Sequence, residues 1–146
     1  MKPSSLRFFL AAASFATLVA AWNTRSVASA ANSGLPQWFR SDVYAELGKA
    51  PDKDKHRANP LENDPQAVAA GQILFQDRCS ECHGEDAKGA RKGPSLRAPE
   101  IQKATPGALF WVLTNGVVRR KMPSWSKLPE PQRWQLVRYL KSLGTD

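Results

Sequence analysis

An all-α fold is predicted by three features of the 146-residue sequence. Apolar residues recur at helical spacing in three separate segments. A proline stands at or beside the start of each. No segment alternates apolar and polar residues at period two, as a half-buried strand does.

The first helix is predicted from Asp64, an N-cap followed by Pro65 in the first turn, to about Arg78. Val68, Gly71, Leu74, Phe75 and Cys79 form its apolar stripe, so the helix carries Cys79 toward the interior. The second opens at Thr105 and Pro106, runs through "ALFWVLTN" and stops at Gly116. The third begins near Glu130, confined there by Pro129 and Pro131, and ends at Gly144. Its stripe is Leu136, Tyr139, Leu140 and Leu143, with Trp134 lying off it. Between these helices, residues 84–104 and 117–128 read as long irregular stretches. Loops beyond ~12–15 residues usually serve a site, and so small a domain with such loops needs a large apolar body to fill its middle.

The first thirty residues differ from the rest. Lys2 and Arg7 lead into an apolar run of 14 residues, Phe8 to Ala21, then a polar stretch ending in "VASA". This is the layout of a secretory signal peptide, residues 1–30, with cleavage predicted after Ala30. A bilayer span needs ~18–20 apolar residues, although Trp22 could prolong the run into an uncleaved anchor. Once the signal is cut, no stable membrane insertion is expected, and the protein is exported, in a bacterium to the periplasm. Residues 31–63 form an N-terminal extension that carries Trp38, Phe39, Tyr44 and Leu47 and then the charged stretch "APDKDKHRANP", read as a short helix that Ser41 could cap and Gly48 end, followed by an irregular strap. That strap either packs on its own domain or docks a partner. Residues 64–146 are the main domain.

Formal charge is +8, and loss of Lys2, Arg7 and Arg25 leaves 18 basic against 13 acidic side chains. The surplus falls after Asp64. Nucleic acid is a poor partner for an exported chain whose charges form no basic run interleaved with aromatics.

Both cysteines lie in Cys79-Ser80-Glu81-Cys82-His83, the C-x-x-C-H attachment signature of a c-type haem. Two thiols three positions apart share one side of a helical turn and can form thioethers with the two vinyl groups of one porphyrin edge. His83 is then carried under the iron as proximal ligand. A thioredoxin-like dithiol should come after a strand and open a helix, whereas a helix precedes this motif and Gly84 interrupts the segment beyond it. A structural zinc site needs four ligands, and the chain offers only Cys79, Cys82, His83 and the distant His56. A disulfide across so small a loop leaves His83 unexplained. Haem also supplies the missing core, at roughly 25 cal/mol per Å² of apolar surface removed from water.

With Met1 removed, Met122 is the remaining methionine, 39 residues beyond His83 in "RRKMPSW" and stiffened by Pro123. A lone methionine is often core filler; beside a proline in a loop after a haem motif it is the candidate sixth ligand. His56, in a charged stretch, reads as a solvated surface residue.

Residues 64–146 resemble a class I cytochrome c domain of the bacterial exported monohaem kind, on the strength of "AAGQILFQDRCSECHG", "KGPSLRAPEI", "LFWVLTNGV", "KMPSW" and "RWQLVRYLKSLG". The resemblance implies a small cytochrome c fold, three main helices and long loops wrapped around one covalently bound haem. It also implies that the Pro94 carbonyl accepts a hydrogen bond from the His83 ring, and that Gly71 and Phe75 cross the C-terminal helix near Tyr139. Trp111 and Trp125 are candidates to line the haem pocket or to serve as ordinary core. The likeness fades before Asn59.

Histidine and methionine on opposite faces leave no open iron position, so the expected function is one-electron transfer rather than catalysis. Lys88, Arg91, Lys92, Arg119, Arg120 and Lys121 cluster in loops flanking the ligands, which favours redox partners with an acidic docking surface. Two further readings stay open. One is a subunit fixed to a larger redox enzyme, such as a quinoprotein dehydrogenase or terminal oxidase, docked through the strap at Trp38 to Tyr44. The other is a catalytic or gas-binding haem with Met122 off the iron.

Overall fold

The computed structural model describes residues 43–144; the signal peptide and Ser41 lie outside them. A tight helical turn, Ala45–Lys49, leads into α1 (Asp52–Lys55), α2 (Pro65–Arg78), α3 (Ser80–His83), α4 (Pro99–Lys103), α5 (Pro106–Asn115) and α6 (Glu130–Ser142). Among the described residues there are isolated bridges, Ala90 with Gly93 and Val117 with Met122, and no strand. The fold is all-α, with α2, α5 and α6 as its main helices.

Local chemistry sets the bounds of α2 and α5. The Asp64 carboxylate accepts from the Gln66 amide at 2.8 Å, with Pro65 in the first turn of α2. Such a cap satisfies one of the amides that a helix start otherwise leaves bare. Thr105 Oγ1 accepts from the Ala108 amide at 3.2 Å to open α5. That helix stops at Gly116, whose φ of +71° suits glycine.

α2 and α6 cross most intimately. Gly71 makes the crossing possible: a Cβ there would overlap the Gln135 carbonyl oxygen and lie 2.8 Å from Tyr139 Cβ. Phe75, Trp134, Leu136 and Val137 are fully buried, each stabilising the fold by about 1.5–3 kcal/mol through removal from water. Phe75 packs tilted on Tyr139 at 5.4 Å between ring centroids.

Three expectations need correction. Trp134, off the apolar stripe of α6, is nonetheless buried, because α5 covers that second face and stacks Phe110 on the indole at 4.0 Å. The stretches 84–104 and 117–128 are not wholly irregular: α4 and the helical turn Val118–Arg120 interrupt them. The charged strap contains α1, and the turn at Ala45–Lys49 runs through Gly48 rather than ending there.

The described part of the N-terminal extension packs on the domain. Arg57 lies over Phe110 (4.6 Å) and Trp134 (5.2 Å) and pairs with Glu130 at 2.6 Å. The buried Asn59 donates to the Trp134 carbonyl at 3.0 Å and accepts from the Leu61 amide at 2.9 Å. Gly107 admits the strap backbone: a Cβ there would meet the Asp54 and Arg57 carbonyl oxygens.

Candidate haem site

α2 hands over directly to the cysteine turn. The Cys79 amide closes α2 on the Phe75 carbonyl at 2.8 Å, and the Cys79 carbonyl then accepts from both Cys82 (3.1 Å) and His83 (3.0 Å). One helical turn, α3, thus presents Cys79, Cys82 and His83 together. Gly84, with φ of +79°, breaks the helix, and the His83 carbonyl accepts from the Gly89 amide at 2.8 Å. Both cysteines are half-buried free thiols. Burial, with Cys82 beside it as a lesser cause, pushes the Cys79 thiol up to about 11. It is therefore a neutral thiol at physiological pH, unlike the depressed-pKa cysteine of a dithiol redox centre.

His83 is gripped from one side. Its Nδ1 lies 2.8 Å from the Pro94 carbonyl oxygen, which can only accept, so Nδ1 carries the proton and Nε2 keeps its lone pair. Burial pulls the imidazole pKa down against the opposing effect of that carbonyl, favouring the neutral form a metal requires. Gly93 seats the ring: a Cβ there would lie 2.8 Å from the Cys82 carbonyl oxygen and 3.1 Å from both Cε1 and Nδ1 of His83.

Met122 reaches the core on a separate loop. Val117 and Met122 exchange both backbone hydrogen bonds, at 3.0 and 3.2 Å, around a turn in which Lys121 takes a left-handed φ of +61°. The chain then fastens to the carbonyl end of α5: the Trp125 amide donates to Leu113 O at 2.9 Å and Ser124 Oγ to Thr114 O at 2.6 Å. These are carbonyls that a helix end leaves without an internal partner. Gly116 lets the Met122–Ser124 backbone close in, since a Cβ would lie 2.7 Å from Ser124 N and 2.8 Å from Met122 O.

Cys79, Met122 and Trp125, with Leu96 and Leu128, are half-buried against one hydrophobic core. Trp111 stands half-buried on α5. His56 is exposed in the strap, its Nδ1 2.7 Å from the Asp52 carbonyl. Among the described residues no group of three or more His, Cys, Asp or Glu side chains converges as a cation site. The donor set fits haem c: two half-buried thiols on one turn, an imidazole with Nε2 free to bind, and a thioether packed against the shared core. Gly93, Gly116 and Ser124 are supporting residues that the sequence alone does not single out for this site. The signal available is glycine next to Pro94 and next to the Met122 loop, but the contacts they permit are largely to backbone groups distant in sequence, which leave no pattern to read.

This fold and donor arrangement define a class I c-type cytochrome domain, an electron-transfer module. Residues 66–140 match the family model described as cytochrome c oxidase, cbb3-type, subunit III, and the chain belongs to that family. Among curated proteins, the cbb3-type cytochrome c oxidase subunit CcoP of Rubrivivax gelatinosus is 31% identical over 111 residues, covering 69% of this chain and 36% of the relative. Subunit FixPc of Rhizobium leguminosarum bv. viciae is 30% identical over 93 residues, 56% of this chain and 30% of the relative. The chain thus spans about a third of the length of the curated relatives it matches. Among solved structures, cytochrome CL from the marine methylotroph Methylophaga aminisulfidivorans superposes with a TM-score of 0.52 at 25% identity, covering 69% of this chain and 67% of that one.

Proposed function

We propose that this chain is an exported one-electron carrier holding a single haem c through thioethers to Cys79 and Cys82, with His83 and Met122 as axial ligands. The observation that carries the reading is the pairing of Nδ1 of His83 with the Pro94 carbonyl at 2.8 Å on the same turn as two free thiols. That pairing orients the ring and fixes its tautomer, as partners behind a ligating histidine generally do. When bound, the haem supplies reversible one-electron chemistry, with methionine ligation raising the potential. The chain's own residues do the rest. Cys79 and Cys82 anchor, Gly93 and Pro94 orient His83, and the fastening of Ser124 and Trp125 to α5 holds Met122 in place. With both axial positions taken by protein, no site remains for a substrate, so the domain carries electrons without catalysis of its own.

Redox partners with an acidic face suit the basic loops, but the surplus is partly spent locally. Lys88 pairs with Asp86, Lys92 with Glu81 and Arg119 with Glu46. Beside Arg119, Arg120 and Lys121 stands Val118, 86% exposed, a point of apolar contact for a partner. Steering by these charges weakens with salt. On this reading the chain divides into a signal peptide over 1–30, a strap over 31–63 and the cytochrome domain over 64–146, in the periplasm. Among the described residues no helix is long and apolar enough to cross a membrane.

A second reading, a cytochrome subunit fixed to a cbb3-type oxidase, is favoured by the family match and by the CcoP and FixPc relatives. Intact mass and a pyridine haemochrome spectrum of exported protein test the attachment: a mass increment of one haem and a two-thioether spectrum are expected, and bare thiols refute it. N-terminal sequencing tests the cut after Ala30. Copurification with an oxidase, set against the gel-filtration mass of a free monomer, separates the subunit from the shuttle.

A further inference from the structure

The strap touches the loop that holds His83 from behind and the loop that carries Met122, and it does so within three residues. Tyr44 Oη donates to the Ser95 carbonyl at 2.8 Å, one residue after the carbonyl that holds His83. Two positions on, Glu46 Oε1 accepts from Arg119 Nε at 2.9 Å and from Lys49 Nζ at 2.8 Å. Arg119 lies in the turn between Val117 and Met122, whose mutual backbone bonds define the methionine loop. The Glu46 side chain is only 14% exposed, so this pair is better shielded than an ordinary surface pair. Between Tyr44 and Glu46 the backbone enters the helical turn Ala45–Lys49, while Tyr44 and Leu47 pack on the core.

We infer that Tyr44 and Glu46 are positioning residues that clamp the His83-side loop and the Met122-side loop to one rigid strap. The inference rests on the axial ligation proposed above and goes beyond it: a segment before the cytochrome domain governs how firmly the sixth ligand is held. The two contacts divide the work. Glu46 restrains the Val117–Met122 loop through Arg119; Tyr44 restrains the Pro94–Ser95 backbone behind His83. Since a carboxylate joined to two cations loses both when neutralised, the Glu46 contact is the more sensitive to removal.

The test uses the full haem-loaded protein with Glu46→Gln, Arg119→Gln, the double variant and Tyr44→Phe. Three quantities are read: imidazole affinity of the oxidised protein, amide hydrogen exchange, and melting temperature. Glu46→Gln and Arg119→Gln should each raise imidazole affinity and speed exchange at the Val117 and Met122 amides by up to about fivefold, the most that an ion pair of this kind commonly contributes. The double variant should fall short of the sum of the two singles, since both singles lose the shared Glu46–Arg119 contact. Tyr44→Phe should instead speed exchange at the Gly93 and Leu96 amides, which close the loop behind His83. Unchanged loop exchange in Glu46→Gln overturns the proposal, as does a change that merely tracks a fall in melting temperature. If imidazole binds without displacing a methionine signal, the ligation reading fails, and the exchange data alone then decide whether the strap restrains the loops.

Discussion

Gly71 on α2 rests directly against the backbone carbonyl of Gln135 on α6, with room for a hydrogen where any other residue would place a carbon: a Cβ there would overlap that oxygen and sit 2.7 Å from the carbonyl carbon. Alanine at this position would gain about 1 kcal/mol in helix propensity. Against that stands a clash with backbone, which cannot turn away as a side chain does. Gly71→Ala should therefore destabilise the protein by a net of about 1–3 kcal/mol, the usual cost of overpacking. Gly48→Ala, with nothing within 4 Å of its Cβ, should stay within about 0.5 kcal/mol of the parent. Thermal melting of the two variants side by side checks the contrast; equal melting temperatures refute it.

The contrast also marks how much of the fold is legible in the sequence. α2 and α5 announce themselves through Asp64 with Pro65, Thr105 with Pro106, and Gly116, because caps are local chemistry, and α6 through the prolines at its start and its apolar stripe. α4 does not: five residues with Ile101 as the single buried apolar position leave no period to read. Trp134 is invisible as core because its burial depends on α5 and on Arg57 from the strap, both distant in sequence. The C-x-x-C-H turn is plain from spacing, and Pro94 comes from resemblance. The anchoring of Met122 through the carbonyls of Leu113 and Thr114 cannot be read, since every residue has a carbonyl.

Glu130 gives the strap a pH dependence. The Trp134 indole N–H donates to its carboxylate at 3.2 Å and Arg57 pairs with it at 2.6 Å. The indole bond first, then Arg57, hold its pKa below the usual glutamate range, with burial opposing. A carboxyl whose folded pKa is depressed adds stability that is complete above its unfolded value, about 4.3, and is lost as pH falls through the folded value. Melting temperature should thus drop on acidification below about pH 4.3, and Glu130→Gln should shallow that drop while lowering stability at neutral pH. An acid limb identical in the two proteins contradicts the assignment.

Met122→Ala separates ligation from packing. Met122 is only half-buried, so truncation should cost about 1–2 kcal/mol, below the ~2–5 kcal/mol of a fully buried methionine. Its effect on the haem should be far larger in proportion: loss of the far-red sulfur-to-iron band of the oxidised protein, and a potential lowered by a substantial part of the ~0.8 V range that axial ligands span. A variant that keeps the band and the potential shows Met122 to be packing alone.

Gly93→Ala probes the histidine side without replacing a proposed ligand. Its Cβ would press at 2.8 Å on the Cys82 carbonyl oxygen and at 3.1 Å on the His83 ring. To relieve the ring contact the imidazole must give by a few tenths of an ångström, and the atom pressed, Nδ1, is the one the Pro94 carbonyl meets at 2.8 Å. The bond that fixes the proton on Nδ1 should weaken, and the ligand should become a poorer electron donor to the iron. Three results are expected together: a shifted Nδ1–H resonance of the reduced protein, a raised reduction potential, and a stability loss of about 1–3 kcal/mol. A variant that loses stability while keeping both the resonance and the potential of the parent would show that Gly93 serves the loop alone and that His83 is oriented by other contacts.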